Sequence, residues 1–323
     1  MHITRRTLLA AALVLAATPV FAEGEPKSNA PAADTRLPVV ASFSIIGDFV
    51  RQVGGERVAV TTIVGSDSDT HVYQPTPADA KKVAGARLVF VNGLGFEGWM
   101  DRLIKASGSK AQVVTLTKGI TPRERTPDEP QDADDAPKGG KSHGHDHGVI
   151  DPHAWQSVAN AKIYVANVRD ALIATDPAGR AIYEANAAAY LAKLEALEAD
   201  VRRTIAAIPA DRRMIITSHD AFGYFGEAYG LKLLAPEGVS TDTEASAKDV
   251  SRIIRQIKAR QVPAVFLENV TNPKLVERIA RESGAKVGGK LFSDALSDDK
   301  GPAHTYIDMV RYNLATLSAA LSA

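Results

Sequence analysis

The chain has 323 residues, no cysteine, and 38 basic against 38 acidic residues, with 8 histidines. A formal charge of zero offers no general basic field for nucleic acid, and 45% hydrophobic residues exclude wholesale disorder. Without cysteine there are no disulfides, thiolate metal sites, thiol nucleophiles or cysteine-linked lipid anchors, so any metal chemistry rests on His and carboxylates.

At about 100–200 residues per domain, this length predicts two domains. Residues 1–22 read as a cleaved export signal. Arg5 and Arg6 form the charged region, Leu8 to Val20 is a short apolar run, and Val20-Phe21-Ala22 offers a small-residue cleavage site. The run is shorter than the ~20 residues of a spanning helix. The paired Arg admits a twin-arginine route beside the general secretory one. Losing Arg5 and Arg6 leaves 36 basic against 38 acidic residues, a net of −2. Residues 23–36 are small and polar and suit a flexible leader.

From residue 37, strands and helices alternate. Apolar, β-prone runs at 38–43, 58–64, 87–92 and 112–116 enclose helical stretches, one of them from Thr76 as N-cap and Pro77 through Ala84. Continuous apolar strands alternating with helices predict an α/β fold with mainly parallel sheets covered on both faces. Residues 121–149 break the pattern. They are rich in Pro, Gly and acidic residues, hold His143, His145 and His147, and predict a mobile acidic loop.

Two helical periodicities follow. Val158, Ala161, Val165, Val168 and Leu172 form the first; Ala187, Tyr190, Leu194, Leu197, Val201, Ile205 and Ile208 form the second, between Pro177 and Pro209. About 30 residues at ~1.5 Å each make a rod of about 45 Å, long enough to connect two domains and limit hinge motion between them. After Pro209 the alternation restarts, with strands at 213–217, 231–234, 263–268 and 285–292 and helices from Ala221, Ala247 and Pro273. The expected organisation is an N-terminal lobe at 37–176, a connecting helix at 177–209 and a C-terminal lobe at 210–323.

His71, His153 and His219 occupy similar places, after an apolar strand or loop and shortly before a helix start. Carboxyl ends of parallel strands face the ligand crevice of an open sheet, so two rings from one lobe and one from the other can meet in an interdomain cleft. Taken singly, each ring fits a hydrogen-bonded structural histidine as well as a ligand.

Four segments carry more than their parts: His71-Val-Tyr-Gln-Pro-Thr-Pro-Ala-Asp79, Asp151-Pro-His-Ala-Trp155, Ser218-His-Asp-Ala-Phe-Gly-Tyr-Phe225 and Phe292-Ser-Asp-Ala-Leu296. In this order, and with Gly238-Val-Ser-Thr-Asp-Thr-Glu-Ala-Ser246, they resemble the periplasmic zinc/manganese receptors of ABC transporters over nearly the whole mature chain. The match is strongest to the zinc-specific ZnuA/AztC type. The resemblance implies two (β/α) lobes joined by a long rigid helix, one metal in the cleft, and ligands at His71, His153, His219 and Asp294. Residue pattern alone does not prefer Asp294 over Asp298 or Asp299. Three imidazoles and a carboxylate fill a tetrahedral Zn²⁺ shell and leave no open position for catalysis. In the family, manganese receptors tend to carry a carboxylate where His219 stands, and imidazole suits zinc better than manganese.

The expected function is therefore non-enzymatic: capture of Zn²⁺ as transported ligand in the periplasm and delivery to an inner-membrane ABC permease. A periplasmic zinc chaperone is a further expected partner, and a monomer free of a lipid anchor is the expected form. His143, His145 and His147 are accessory metal-capture candidates beside the cleft. Asp220 and Asn92 are candidates for orienting the rings, Tyr73, Trp155, Phe222 and Tyr224 for packing around them, and His304 for a surface role. The alternatives are a manganese or iron receptor of the same family, a periplasmic zinc buffer or adhesin, and a zinc hydrolase. Against the hydrolase stand the lack of a His-Glu-x-x-His pair and of a Gly-x-Ser-x-Gly elbow.

Overall fold

The computed structural model describes residues 35–124 and 150–322. The expected signal, the leader up to residue 34, and His143, His145 and His147 lie outside the described residues.

The first lobe is built from β1 (Leu37–Phe43), α1 (Ser44–Gly54), β2 (Val58–Val64), α2 (Pro77–Ala84), β3 (Leu88–Val91), α3 (Met100–Ser107) and β4 (Gln112–Thr115). Its sheet has the order β2-β1-β3-β4 and every pair is parallel. β1 is buried without interruption from Val39 to Phe43, as expected of a strand covered on both faces. α2 opens with a reciprocal cap: the Asp79 N–H donates to the Thr76 hydroxyl, and the Thr76 N–H donates to Asp79 Oδ2. α1 follows Phe43 directly and has no side-chain cap, so nothing in its sequence announces its start.

The segment expected to form an acidic loop is pinned at its base. β5 (Arg123–Glu124) pairs antiparallel with β6 (Ile150–Asp151). α4 (Val158–Thr175) and α5 (Arg180–Ala207) come next. α5 has 28 residues, which is about 42 Å of helix. Its buried stripe of Tyr183, Ala187, Tyr190, Leu194, Leu197, Val201 and Ile205 follows the helical period.

The second lobe contains β7 (Met214–Ile216), α6 (Gly223–Tyr229), β8 (Lys232–Leu234), α7 (Ala247–Arg260), β9 (Ala264–Glu268), α8 (Pro273–Ser283), β10 (Lys286–Leu291) and α9 (Tyr306–Leu321). Its sheet has the order β10-β9-β7-β8, again all parallel. The fold is thus α/β, with two parallel-sheet lobes and the long α5 between them. Among the described residues no helix is long and apolar enough to cross a membrane.

α5 packs against α1 and α4 and also against α6 and α9. Polar bonds then fix the lobes to one another. Asp48 of α1 accepts the Tyr306 N–H at the start of α9, at 2.9 Å. The Tyr306 hydroxyl donates to the Trp155 carbonyl at 2.7 Å, and Trp155 Nε1 donates to the Ser293 carbonyl at 3.0 Å. Tyr229 of α6 accepts the Val158 N–H at 3.0 Å, satisfying a free donor of α4's first turn, and donates to the buried Glu198 of α5 at 2.7 Å.

Tyr229→Phe leaves the Val158 N–H and one Glu198 oxygen short of a partner. A loss of about 1–3 kcal/mol is expected, read as a lower urea midpoint at unchanged slope. An unchanged midpoint would show that these bonds do not hold α6 to α4 and α5.

Candidate metal centre

Each candidate ligand follows the carboxyl end of a strand. His71 lies in the loop after β2, His153 two residues past β6, His219 three past β7 and Asp294 three past β10. For His71, His219 and Asp294 the parallel direction of the two main sheets puts these ends on the cleft side, where open sheets bind ligands, whereas His153 follows β6 of the small antiparallel ladder. The four residues predicted from separate segments come together. His71 Nε2 lies 3.3 Å from both His153 Nε2 and Asp294 Oδ2. His219 Nε2 is 3.1 Å from Asp294 Oδ2, and His153 Nε2 is 3.6 Å from Asp294 Oδ1. All four ligand atoms lie within 4.8 Å of one another.

Donors about 2.0–2.2 Å from one centre are about 3.3–3.6 Å apart in a tetrahedron, so three of these four separations match a shared divalent ion and the His219–Asp294 contact is about 0.2 Å shorter. His153, His219 and Asp294 have no exposed surface, and the His71 side chain is 5% exposed. Asp294 Oδ1 is buried with no hydrogen-bond partner in the protein, an uncommon and costly state for a carboxylate oxygen. A cation among the rings would satisfy it. Asp298 and Asp299, which residue pattern could not separate from Asp294, are exposed.

The rings are aimed by carboxylates. Asp151 Oδ1 accepts both the His153 N–H, at 3.0 Å, and its ring Nδ1–H, at 2.8 Å. Glu268, the last residue of β9, does the same for His219. Its Oε1 accepts the Ser218 and His219 N–H groups at 2.8 and 3.0 Å, and its Oε2 sits 2.7 Å from His219 Nδ1, off the line of a good hydrogen bond. Asp69 Oδ1 accepts the His71 N–H at 2.9 Å. With His153 Nδ1 hydrogen-bonded to Asp151 and His219 Nδ1 beside the Glu268 carboxylate, the Nε2 atoms of both rings lie near Asp294, and the carboxylates raise their basicity.

These partners correct the expectation that Asn92 orients a ring. Asn92 instead donates to the Gly93 and Pro152 carbonyls and accepts from Tyr164, fixing the backbone ahead of His153. Asp151 was within sight in Asp151-Pro-His153. Glu268 was not: it lies about fifty residues from His219, and its only signal is an acid ending an apolar strand.

Aromatic rings dry the site. Phe96 packs against His71, His153, Phe43 and Trp155 with centroids 4.7, 5.8, 4.9 and 4.8 Å away. Trp155 lies 5.2 Å from His153, as its expected packing role requires. Phe222 is buried in the main core, while Tyr73 and Tyr224 use their hydroxyls on Asp79 and on the Arg123 N–H. His304 is half exposed and pairs with Asp308 at 3.4 Å, away from the centre.

The charges are strongly coupled. Burial opposes a charged His153, yet Asp294 and Asp151 outweigh it and push the ring up to about 9. Burial likewise opposes a charged His219, and Glu268 and Asp294 push it well above its ordinary value. Burial pulls His71 down. Asp294 is opposed by burial, but His153 and His219 hold it well below the usual carboxylate range.

Two parallel-sheet lobes bridged by a long helix, with inward-facing imidazoles and a buried carboxylate between them, define the class of bilobed extracytoplasmic metal receptors. The family model described as zinc-uptake complex component A, periplasmic, matches residues 39–320, and the chain belongs to that family. It is 36% identical over 286 residues to the manganese-binding lipoprotein MntA of Halalkalibacterium halodurans, covering 88% of this chain and 89% of the relative. It is 33% identical over 307 residues to the iron-binding protein YfeA of Yersinia pestis, covering 94% and 91%. Among solved structures, the periplasmic zinc-binding protein TroA of Treponema pallidum superposes with a TM-score of 0.78 at 31% identity, covering 89% of this chain and 100% of that one. The protein is thus a metal-binding receptor of the ABC-transporter type, which works with a membrane permease, and it is not an enzyme; the zinc-hydrolase alternative is set aside.

A histidine raised in the folded state stabilises the fold fully below its unfolded value of about 6.5, and that stability is lost as pH rises through the folded value. With His153 at about 9, the metal-free protein is expected to lose thermal stability between pH 7 and 9. His153→Gln should flatten the profile. A wild-type melting temperature that rises across this window would contradict the charge assignment.

Proposed function

We propose that the protein captures Zn²⁺ at His71, His153, His219 and Asp294 and delivers it to an inner-membrane permease for uptake. The observation that carries this reading is the donor set: three imidazoles and one carboxylate that are almost wholly buried, with ligand atoms all within 4.8 Å of one another. Imidazole suits zinc, and a four-donor shell has no need of extra oxygen ligands. The zinc-binding name of TroA and the zinc-uptake description of the family accord with it.

A manganese or iron receptor is the second reading, favoured by the names of MntA and YfeA. Simple competition in solution does not separate the two, because Mn²⁺ and Fe²⁺ bind nitrogen and oxygen sites more weakly than Zn²⁺ whatever the biological cargo. Uptake does. Cells lacking the gene should lose accumulation of radioactive zinc and keep that of manganese and iron. Loss of manganese or iron uptake with zinc uptake intact would overturn the zinc assignment.

The protein would act as a monomer, loaded either directly or by a periplasmic zinc chaperone, with His143, His145 and His147 raising local metal capture. MntA and several other relatives are named lipoproteins, whereas this sequence has no cysteine to carry a thioether lipid. The expectation of an unanchored protein stands on that difference.

Metal entry must displace protons from His153 and His219, both of which neighbouring carboxylates raise from the ordinary histidine value in the metal-free protein. Zinc affinity should therefore climb as pH rises from 6 to 9, and calorimetry in buffers of different ionisation enthalpy should register proton release at pH 7. Replacing His153, His219 or Asp294 by Ala should weaken zinc by more than the roughly 10–100-fold typical of losing an outer partner. Full affinity in all three variants would reject the site.

A further inference from the structure

Arg123 stands on β5, at the base of the segment that carries the acidic loop, and is not one of the candidate ligands. Its Nη1 donates to Asp151 Oδ2 at 3.0 Å, while the other oxygen of the same carboxylate holds the ring and the backbone N–H of His153. Asp151 has no exposed surface, so these two partners, rather than water, hold its carboxylate in place. The second lobe holds Arg123 in place. Tyr224 of α6 accepts the Arg123 N–H at 2.7 Å, and Glu227 of α6 lies 3.5 Å from its Nε.

Gly223, the first residue of α6, makes room for the pair. A Cβ there would sit 2.2 Å from Arg123 Nη1 and 2.5 Å from Asp151 Oδ2. Four independent features thus converge on one guanidinium: the strand ladder of β5 with β6, the buried carboxylate, the α6 side chains and a glycine gap.

We infer that Arg123 is a positioning residue for the metal centre, fixing Asp151 so that Asp151 fixes His153, and tying that ring to α6 of the opposite lobe. The guanidinium neutralises a buried acid and stops it from rotating. Without it, Asp151 keeps only the histidine as partner, and the ring loses its fixed direction. The inference rests on His153 being a zinc ligand.

The test measures zinc affinity by chelator competition, with the dissociation rate, in full-length Arg123→Gln, Arg123→Lys, Gly223→Ala, Asp151→Asn, His153→Ala and the Arg123→Gln/Asp151→Asn double variant. Arg123→Gln should weaken zinc by about 10-fold or more, as loss of an outer partner does. Arg123→Lys should recover part of the loss, and Gly223→Ala should reproduce it. In the Asp151→Asn background, Arg123→Gln should add almost nothing, because its effect passes through that carboxylate. Wild-type affinity in both Arg123→Gln and Gly223→Ala, or a full additional loss in the double variant, would overturn the inference. If Arg123→Gln does not fold, Arg123→Lys and Gly223→Ala carry the same comparison. His153→Ala separates the two levels: undiminished affinity there rejects the site itself, whereas a weakened His153→Ala beside a wild-type Arg123→Gln rejects only the role of Arg123.

Discussion

Asp294 is a carboxylate with no exposed surface, and much of the structure follows from what such a group requires. An isolated buried charge is held only where opposite charge and hydrogen bonds surround it. Here the surroundings are His153 and His219, each backed by a further acid, Asp151 and Glu268. In the metal-free protein, protons on these rings supply the positive charge. A divalent ion bound among these groups would replace those protons, so that capture of metal and loss of protons would be one exchange at one place. The buried Asp294 oxygen without a protein partner is the geometric feature that such an ion would satisfy.

This arrangement needs both lobes. His71 and His153 belong to the first lobe, and His219 and Asp294 to the second. Strand ends set the distances, since in each lobe the parallel sheet puts its loops on the side facing the cleft. The two lobes also use the same device, an acid that grips a ring and its backbone together. The lobes are kept in register by buried side chains that bond across the boundary, Asp48 to Tyr306 and Trp155 to Ser293 among them. Phe96 and Trp155 keep water from the rings, which strengthens every charge interaction inside. A site so closed holds an ion well and leaves little room for a reacting water, in keeping with transport rather than catalysis.

The two-lobed α/β organisation was legible in residue patterns because its strands are continuous apolar runs and α5 keeps a strict helical period. The cap at Thr76 and Pro77 marked α2 to the residue. α1 was hidden, since it follows Phe43 with no polar cap to announce it. The three histidines were visible as a set by their places after strand ends, yet Asp294 entered through the family likeness, and its burial and contacts with the three rings distinguish it from Asp298 and Asp299. Glu268 and Arg123 were not legible. Their roles arise from pairings across the fold, His219 with Glu268 and the β5–β6 ladder with α6, which local sequence does not encode. Metal identity is not legible in the family likeness, because similar proteins carry zinc, manganese and iron names.

The central claim is that one ion sits among His71, His153, His219 and Asp294 as its direct ligands. X-ray absorption spectroscopy of the protein loaded with a single equivalent of zinc tests it most directly. The account predicts outer-shell scattering from three imidazole rings and nitrogen and oxygen donors at about 2.0–2.2 Å. A shell of six oxygens with no imidazole signal would contradict it.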